Sequence, residues 1–132
     1  LLFGATPSSS YTRRTIQNDA GANGSTYNIS TDNTLPSIFN FTTNTNSYNS
    51  AAAVATLLSG FKVTTDGSTA ISGAESFFMI LGNGTNSSVY VWEDTGNGVV
   101  ASSELYHMAN LTGVDNDTLS GVEFSFQTIS GV

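Results

Sequence analysis

The chain has 132 residues, 39% of them hydrophobic and 11% aromatic, and no cysteine. That is enough for one domain with a buried core, without a disulfide framework or zinc–thiolate chemistry. Only 10% of the residues are charged, and three cations (Arg13, Arg14 and Lys62) stand against ten acids for a net charge of −7, which excludes generic binding to nucleic acid or anionic membrane.

Polarity comes instead from Ser, Thr, Asn and Gly, so neighbouring copies repel each other weakly. No apolar run reaches membrane-spanning length. Leu1-Leu2-Phe3 is too short for a signal peptide and lacks a basic flank, and a start without Met reads as a processed or partial product.

Residues 1–35 are read as an extended N-terminal arm. Ser10–Ile16 and Thr26–Ile29 have strand composition and are separated by the turn-forming Ala20–Gly24. A β-rich globular domain is expected over 36–132. It opens with the apolar run Ile38–Phe41, followed by an Asn/Thr tract. A short helix is predicted over 50–59, because Asn49-Ser50 supplies a cap, Ala51–Leu58 supplies helix formers and Gly60 a stop.

Phe61–Thr64 reads as a strand and Asp66-Gly67 as a turn. Ser76–Leu81 and Ser88–Trp92 are β-branched and aromatic, and the turn-rich Gly82–Ser87 joins them into a hairpin. Residues 102–111 fit either a short helix capped by Ser102 or Ser103 or a strand. Val122–Ile129 alternates as a terminal strand. The expected fold is mainly β: an antiparallel β-sandwich-like domain with one short helix and an extended N-terminal arm.

Catalytic chemistry finds few residues. His107 is the lone histidine, and no nucleophile-elbow pattern accompanies the serines. Glu93-Asp94 and the Asp115/Asp117 pair imitate glycosidase carboxylates, but Trp92 is the single Trp available to line a sugar cleft. The chain is therefore read as not an enzyme.

The best specific site is Glu93–Glu104, a degenerate match to the twelve-residue calcium loop. Gly98 takes the glycine position, while Glu93, Thr95, Asn97 and Glu104 are the candidate ligands. Calcium is the one cofactor this pattern admits, bound weakly because carboxylates are few. The competing reading is an ordinary turn with acids at a strand end. Seven Asn-x-Ser/Thr sequons, at Asn23, Asn28, Asn40, Asn83, Asn86, Asn110 and Asn116, are candidate glycosylation sites and would then mark the outer surface.

Val89–Leu105, followed by Leu111-Thr-Gly-Val-Asp115 and Phe124, resembles the C-terminal domains of bacterial type 1-secreted surface proteins. These are the RTX-associated adhesins and S-layer-like proteins. The resemblance covers about residues 50 to 130 and includes the helix at Ala51–Leu58, although no single motif in it is diagnostic. It implies secretion to the cell surface, acidity, low cysteine and frequent calcium dependence. The glycine-rich nonapeptide calcium repeat of RTX arrays is absent, which argues against a calcium-roll architecture.

Composition and resemblance together give an expected function. The chain is read as a non-catalytic extracellular structural protein, a self-associating subunit of a filament or surface layer. The arm would add a strand to the next copy through Tyr11, Ile16, Tyr27 and Ile29. Its partners are copies of itself, with surface glycans as a further class. The alternative is a calcium-binding secretion or adhesion module of a larger type 1-secreted protein.

Overall fold

The computed structural model describes residues 16–19, 26–28, 38–42, 45–46, 48–64, 68–71 and 75–119. The clearest unit is the predicted hairpin. Strands β5 (Glu75–Gly82) and β6 (Ser87–Asp94) pair antiparallel from Glu75↔Asp94 to Gly82↔Ser87. Their aromatic and β-branched residues suit a pleated surface, and both strands are buried on both faces over much of their length. The turn between them is closed by Asn83 N donating to the Asn86 carbonyl at 3.0 Å. Residues 102–111 resolve into a short 3-10 turn, Ser102–Glu104, and strand β7 (Leu105–Leu111), which pairs antiparallel with β6.

The remaining strands pair in the opposite sense. β3 (Ile38–Phe41) lies parallel to β5, and β1 (Ile16–Asp19) lies parallel to β3. β2 (Thr26–Asn28) and β4 (Lys62–Thr64) form a second, parallel two-stranded sheet. The main sheet therefore runs β1-β3-β5-β6-β7. The chain alternates between the sheets from β1 to β5, each return laying a strand parallel to the last, and then reverses into the β5-β6-β7 meander.

The mainly β class holds and β5-β6-β7 is antiparallel as expected, but β1, β3 and β5, and β2 with β4, run parallel. Strand propensity reports a pleated surface and not the direction of the neighbour, and parallel neighbours need long crossovers that no turn motif announces. The N-terminal stretch is also not a separate arm where it is described, since Ile16–Asp19 and Thr26–Asn28 pair with strands of the 36–132 region. The expected strand at Val122–Ile129 and the Asp66-Gly67 turn lie outside the described residues.

Helix α1 (Ala51–Leu57) forms in the β3-to-β5 crossover. Ser50 caps it, accepting the Ala53 N–H at 3.2 Å, and Val54 and Leu58, one turn apart, are fully buried. They pack with Phe61, Val63, Ile71 and Val100 over one face of the main sheet, which supplies Phe39, Phe41, Phe77, Met79, Leu81, Tyr90, Trp92 and Leu105. Phe61 is the hub. Its ring meets Phe39 and Phe41 edge-on at centroid separations of 5.1 Å and Trp92, also edge-on, at 6.3 Å. On the other face of the main sheet, alternation places Ile38, Asn40, Ile80 and Val91, all buried. Removing the hub tests the architecture: Phe61→Ala is expected to cost about 3–5 kcal/mol, read from the urea unfolding midpoint.

Candidate functional site

The Glu93–Glu104 loop was the leading site in the sequence, and of its four candidate ligands the structure brings Thr95 and Glu104 into direct contact. Along β6, Trp92 and Asp94 are buried while Glu93 is exposed, so strand alternation turns Glu93 away from the Trp92 face. Glu104 sits on the Trp92 face. It is buried and accepts four hydrogen bonds: from Trp92 Nε1 at 3.1 Å, Thr95 Oγ1 at 2.6 Å, Thr95 N at 3.2 Å and Ala101 N at 3.3 Å. These donors occupy the carboxylate that would have closed a calcium shell.

Asn97 Oδ1 accepts the Val99 N–H at 2.8 Å. Among the described residues no three His, Asp or Glu side chains gather closely enough to hold a metal ion. Gly98, placed at the calcium-loop glycine by sequence, is needed for another reason: at φ 64, a Cβ there would collide with the Val63 carbonyl. That close approach carries the bond from Val63 N to Gly98 O, at 2.9 Å, which ties β4 to the loop.

Asp94, considered in the sequence as half of an acid pair and not as a calcium ligand, organises the turn. Its Oδ1 accepts N–H from Asn97 at 3.2 Å and from Gly98 at 3.0 Å, while Oδ2 is buried without a hydrogen-bond partner. The loop is therefore held from inside by two acids, Asp94 and Glu104. Burial alone would push the Glu104 carboxyl up, but hydrogen bonds from the Thr95 side chain, Trp92 and the Thr95 and Ala101 amides outweigh it. Its pKa lies below the ordinary 4.5.

The catalytic candidates are no closer to a working arrangement. His107 is exposed, with its ring 5.0 Å from that of Tyr90 and its Nε2 at 3.1 Å from Asn110 Oδ1. Ser88 Oγ donates to the same Asn110 oxygen at 2.7 Å, so the hydroxyl proton goes to an amide and not to the imidazole. Asp115 Oδ1 caps the backbone N–H of Asp117 at 3.0 Å, a local turn bond. Tyr90 is fully buried, its Oη donates to the Tyr48 carbonyl at 2.9 Å, and burial raises its pKa.

The sequons divide sharply. Asn40 and Asn116 are fully buried and paired with each other. Asn40 Nδ2 donates to the Asn116 carbonyl at 2.8 Å, and Asn116 Nδ2 donates to Asn40 Oδ1 at 3.1 Å and to the Phe41 carbonyl at 2.7 Å. They do not mark an outer surface. The signal that could have found them is an Asn inside the apolar run Ile38–Phe41, since a buried amide needs a partner.

Asn83 and Asn86 lie in the β5–β6 turn, Asn86 Oδ1 accepting the Gly113 N–H at 2.9 Å, and Asn110 is exposed on β7. Asn28 is in β2, and Asn23 lies outside the described residues. Of the four proposed arm anchors, Tyr11 and Ile29 also lie outside them, and Ile16 falls opposite Ile38 in β1. Tyr27 meets Phe39 edge-on at 5.4 Å, packed on its own core and not presented to a neighbour.

No known family model, curated protein or solved structure matches the chain. Among the described residues no helix is long and apolar enough to cross a membrane.

Two predictions follow from these geometries. Because the folded pKa of Glu104 is depressed, its contribution to stability is present above about 4.5 and is lost as pH falls through the lower folded value. Glu104→Gln should flatten that acid limb in thermal melts. Glu104→Ala, which orphans the Trp92 donor and two amides, should cost about 3 kcal/mol at neutral pH. Secondly, in a glycosylating host the folded, secreted fraction should carry glycan at Asn83, Asn86 or Asn110 but not at Asn40 or Asn116. Glycopeptide mass spectrometry reads this directly, and folded protein glycosylated at Asn116 would contradict the buried pair.

Proposed function

We propose that this chain is a non-catalytic structural domain of the cell surface that self-associates into a filament or layer. The observation that carries the reading is the β7 edge of the main sheet. Among the described residues β7 pairs only with β6. It contains no acid, Lys or Arg, and it exposes Tyr106 (51%) and Met108 (39%), the large hydrophobics left most open to solvent. Edge strands are usually guarded by charge or proline. The guard on β7 is a single bulge, where the register slips between Val89 and Tyr90 and leaves Met108 without a partner on β6.

Strand addition at such an edge supplies the missing backbone hydrogen bonds. The natural donor is the N-terminal stretch of the next copy, whose β1 is, among the described residues, the opposite edge of the same sheet. Joining β1 of one copy to β7 of the next is a heterologous contact, which repeats head to tail into a fibre. A surface poor in charge favours this packing, since 10% charged residues leave little mutual repulsion. Surface glycans are a secondary partner class.

Sedimentation velocity and negative-stain microscopy, with millimolar calcium and with chelator, test this reading. Polymers are expected in both conditions, because Glu104 and one oxygen of Asp94 are engaged by protein donors and Glu93 points away from them. The double variant Tyr106→Lys, Met108→Lys should dissolve them without lowering the melting temperature. A wild-type protein that stays monomeric in both conditions would sink the proposal.

A further inference from the structure

Two Gly-Asn-Gly sequences, 82–84 and 96–98, carry the same latent chemistry and are held in opposite settings by the fold. Glycine after Asn leaves the next amide nitrogen unhindered, so it can approach the Asn side-chain carbonyl carbon. We propose that Asn83 is a site of spontaneous deamidation in the folded protein, and that Asp94 protects Asn97 from the same reaction.

The reaction needs only solvent water and base. The Gly84 nitrogen bonds to Asn83 Cγ and gives up its proton to solvent. The Cγ–Nδ2 bond breaks and ammonia leaves, closing a cyclic imide. Water then opens the imide at one of its two carbonyls, giving Asp or isoaspartate. Nothing is oxidised or reduced.

The turn at Asn83 favours each part of this step. Asn83 Oδ1 accepts two backbone N–H groups, from Thr85 at 3.1 Å and Asn86 at 2.9 Å. Both donors polarise the Cγ carbonyl, and both stabilise the charge that gathers on that oxygen as the nitrogen adds. The attacking Gly84 N–H has no hydrogen-bond partner among the described residues, so no bond must break to free it. Asn83 and Gly84 are half-buried, and Thr85 beside them is exposed, so water reaches the imide.

At Asn97 the nucleophile is restrained. The side chain is more exposed than that of Asn83, and by exposure alone it would react sooner. Its Oδ1, however, has one donor, Val99 N at 2.8 Å, and the Gly98 N–H is bonded to Asp94 Oδ1 at 3.0 Å. Attack on Asn97 requires breaking that bond to a carboxylate, which also opposes removal of the amide proton. Gly98 is buried with its α-carbon against the Val63 carbonyl, and has no room to swing. Isoaspartate at 83 would insert an extra backbone atom into the turn closed by Asn83 N and the Asn86 carbonyl, so the modification marks and loosens the β5–β6 hairpin.

Peptide mapping by mass spectrometry, on wild-type protein held in mildly alkaline buffer with and without denaturing urea, separates fold from sequence. In the folded protein Asn83 should convert on the order of tenfold faster than Asn97, as expected for two oriented donors against a blocked nucleophile. In urea the two should convert at comparable rates. Asp94→Asn, with folding checked by circular dichroism, should raise the Asn97 rate towards its urea value. Folded Asn97 converting as fast as Asn83, or Asn83 converting more slowly folded than in urea, overturns the proposal. An unchanged Asn97 rate in folded Asp94→Asn removes the protective role of Asp94.

Discussion

Parallel pairing of β3 with β5 is the constraint from which the rest of the architecture follows. Two parallel neighbours cannot be joined by a tight turn, so the intervening chain must travel back along the sheet before the second strand begins. Here that return carries α1, Phe61 and β4 across one face, and Phe61 fills the space between Phe39, Phe41 and Trp92. Burial of these rings offsets the entropy of closing the crossover. With β4 in place, β2 has a parallel partner, and the second sheet exists because the first one needed a crossover. Tyr27 on β2 then closes over Phe39.

Buried polar side chains lock the connections that hydrophobic packing leaves undetermined. Asn40 and Asn116 tie the middle of the main sheet to the turn after β7 through three hydrogen bonds, two of them to backbone carbonyls. Gly82 is part of the same fit, since a Cβ at that position would collide with Asn116 Oδ1. Glu104 joins the indole of Trp92 to the backbone of the β6–β7 connection, and Asp94 holds the turn inside it. A buried donor left without a partner is costly, so each of these amides and acids specifies one loop path and disfavours the alternatives.

The same observation bears on function. Several side chains that look chemically promising in the sequence, Asp94, Glu104, Asn40 and Asn116, are buried and engaged in holding the fold. The proposed self-association and the proposed deamidation both draw on backbone and surface: an unguarded strand at β7 and an Asn–Gly step in the β5–β6 turn. The lone imidazole stands on the edge strand β7, with Asn110 between it and the Ser88 hydroxyl.

By itself the sequence determined the local elements: the β5–β6 hairpin from its aromatic and β-branched runs, α1 from Ser50 and the alanine tract, and a weakly charged surface. These are legible because periodicity, capping and turn chemistry act over a few residues. Only the tertiary structure decided that β1, β3 and β5 run parallel, that Tyr27 packs on its own core, and that Asn40 meets Asn116 across 76 positions of chain. It also decided that Glu104 turns toward Trp92 and away from Glu93, because which face a side chain occupies depends on the register of its strand and on what covers that face. Those choices are made by partners distant in sequence, and no local pattern encodes them.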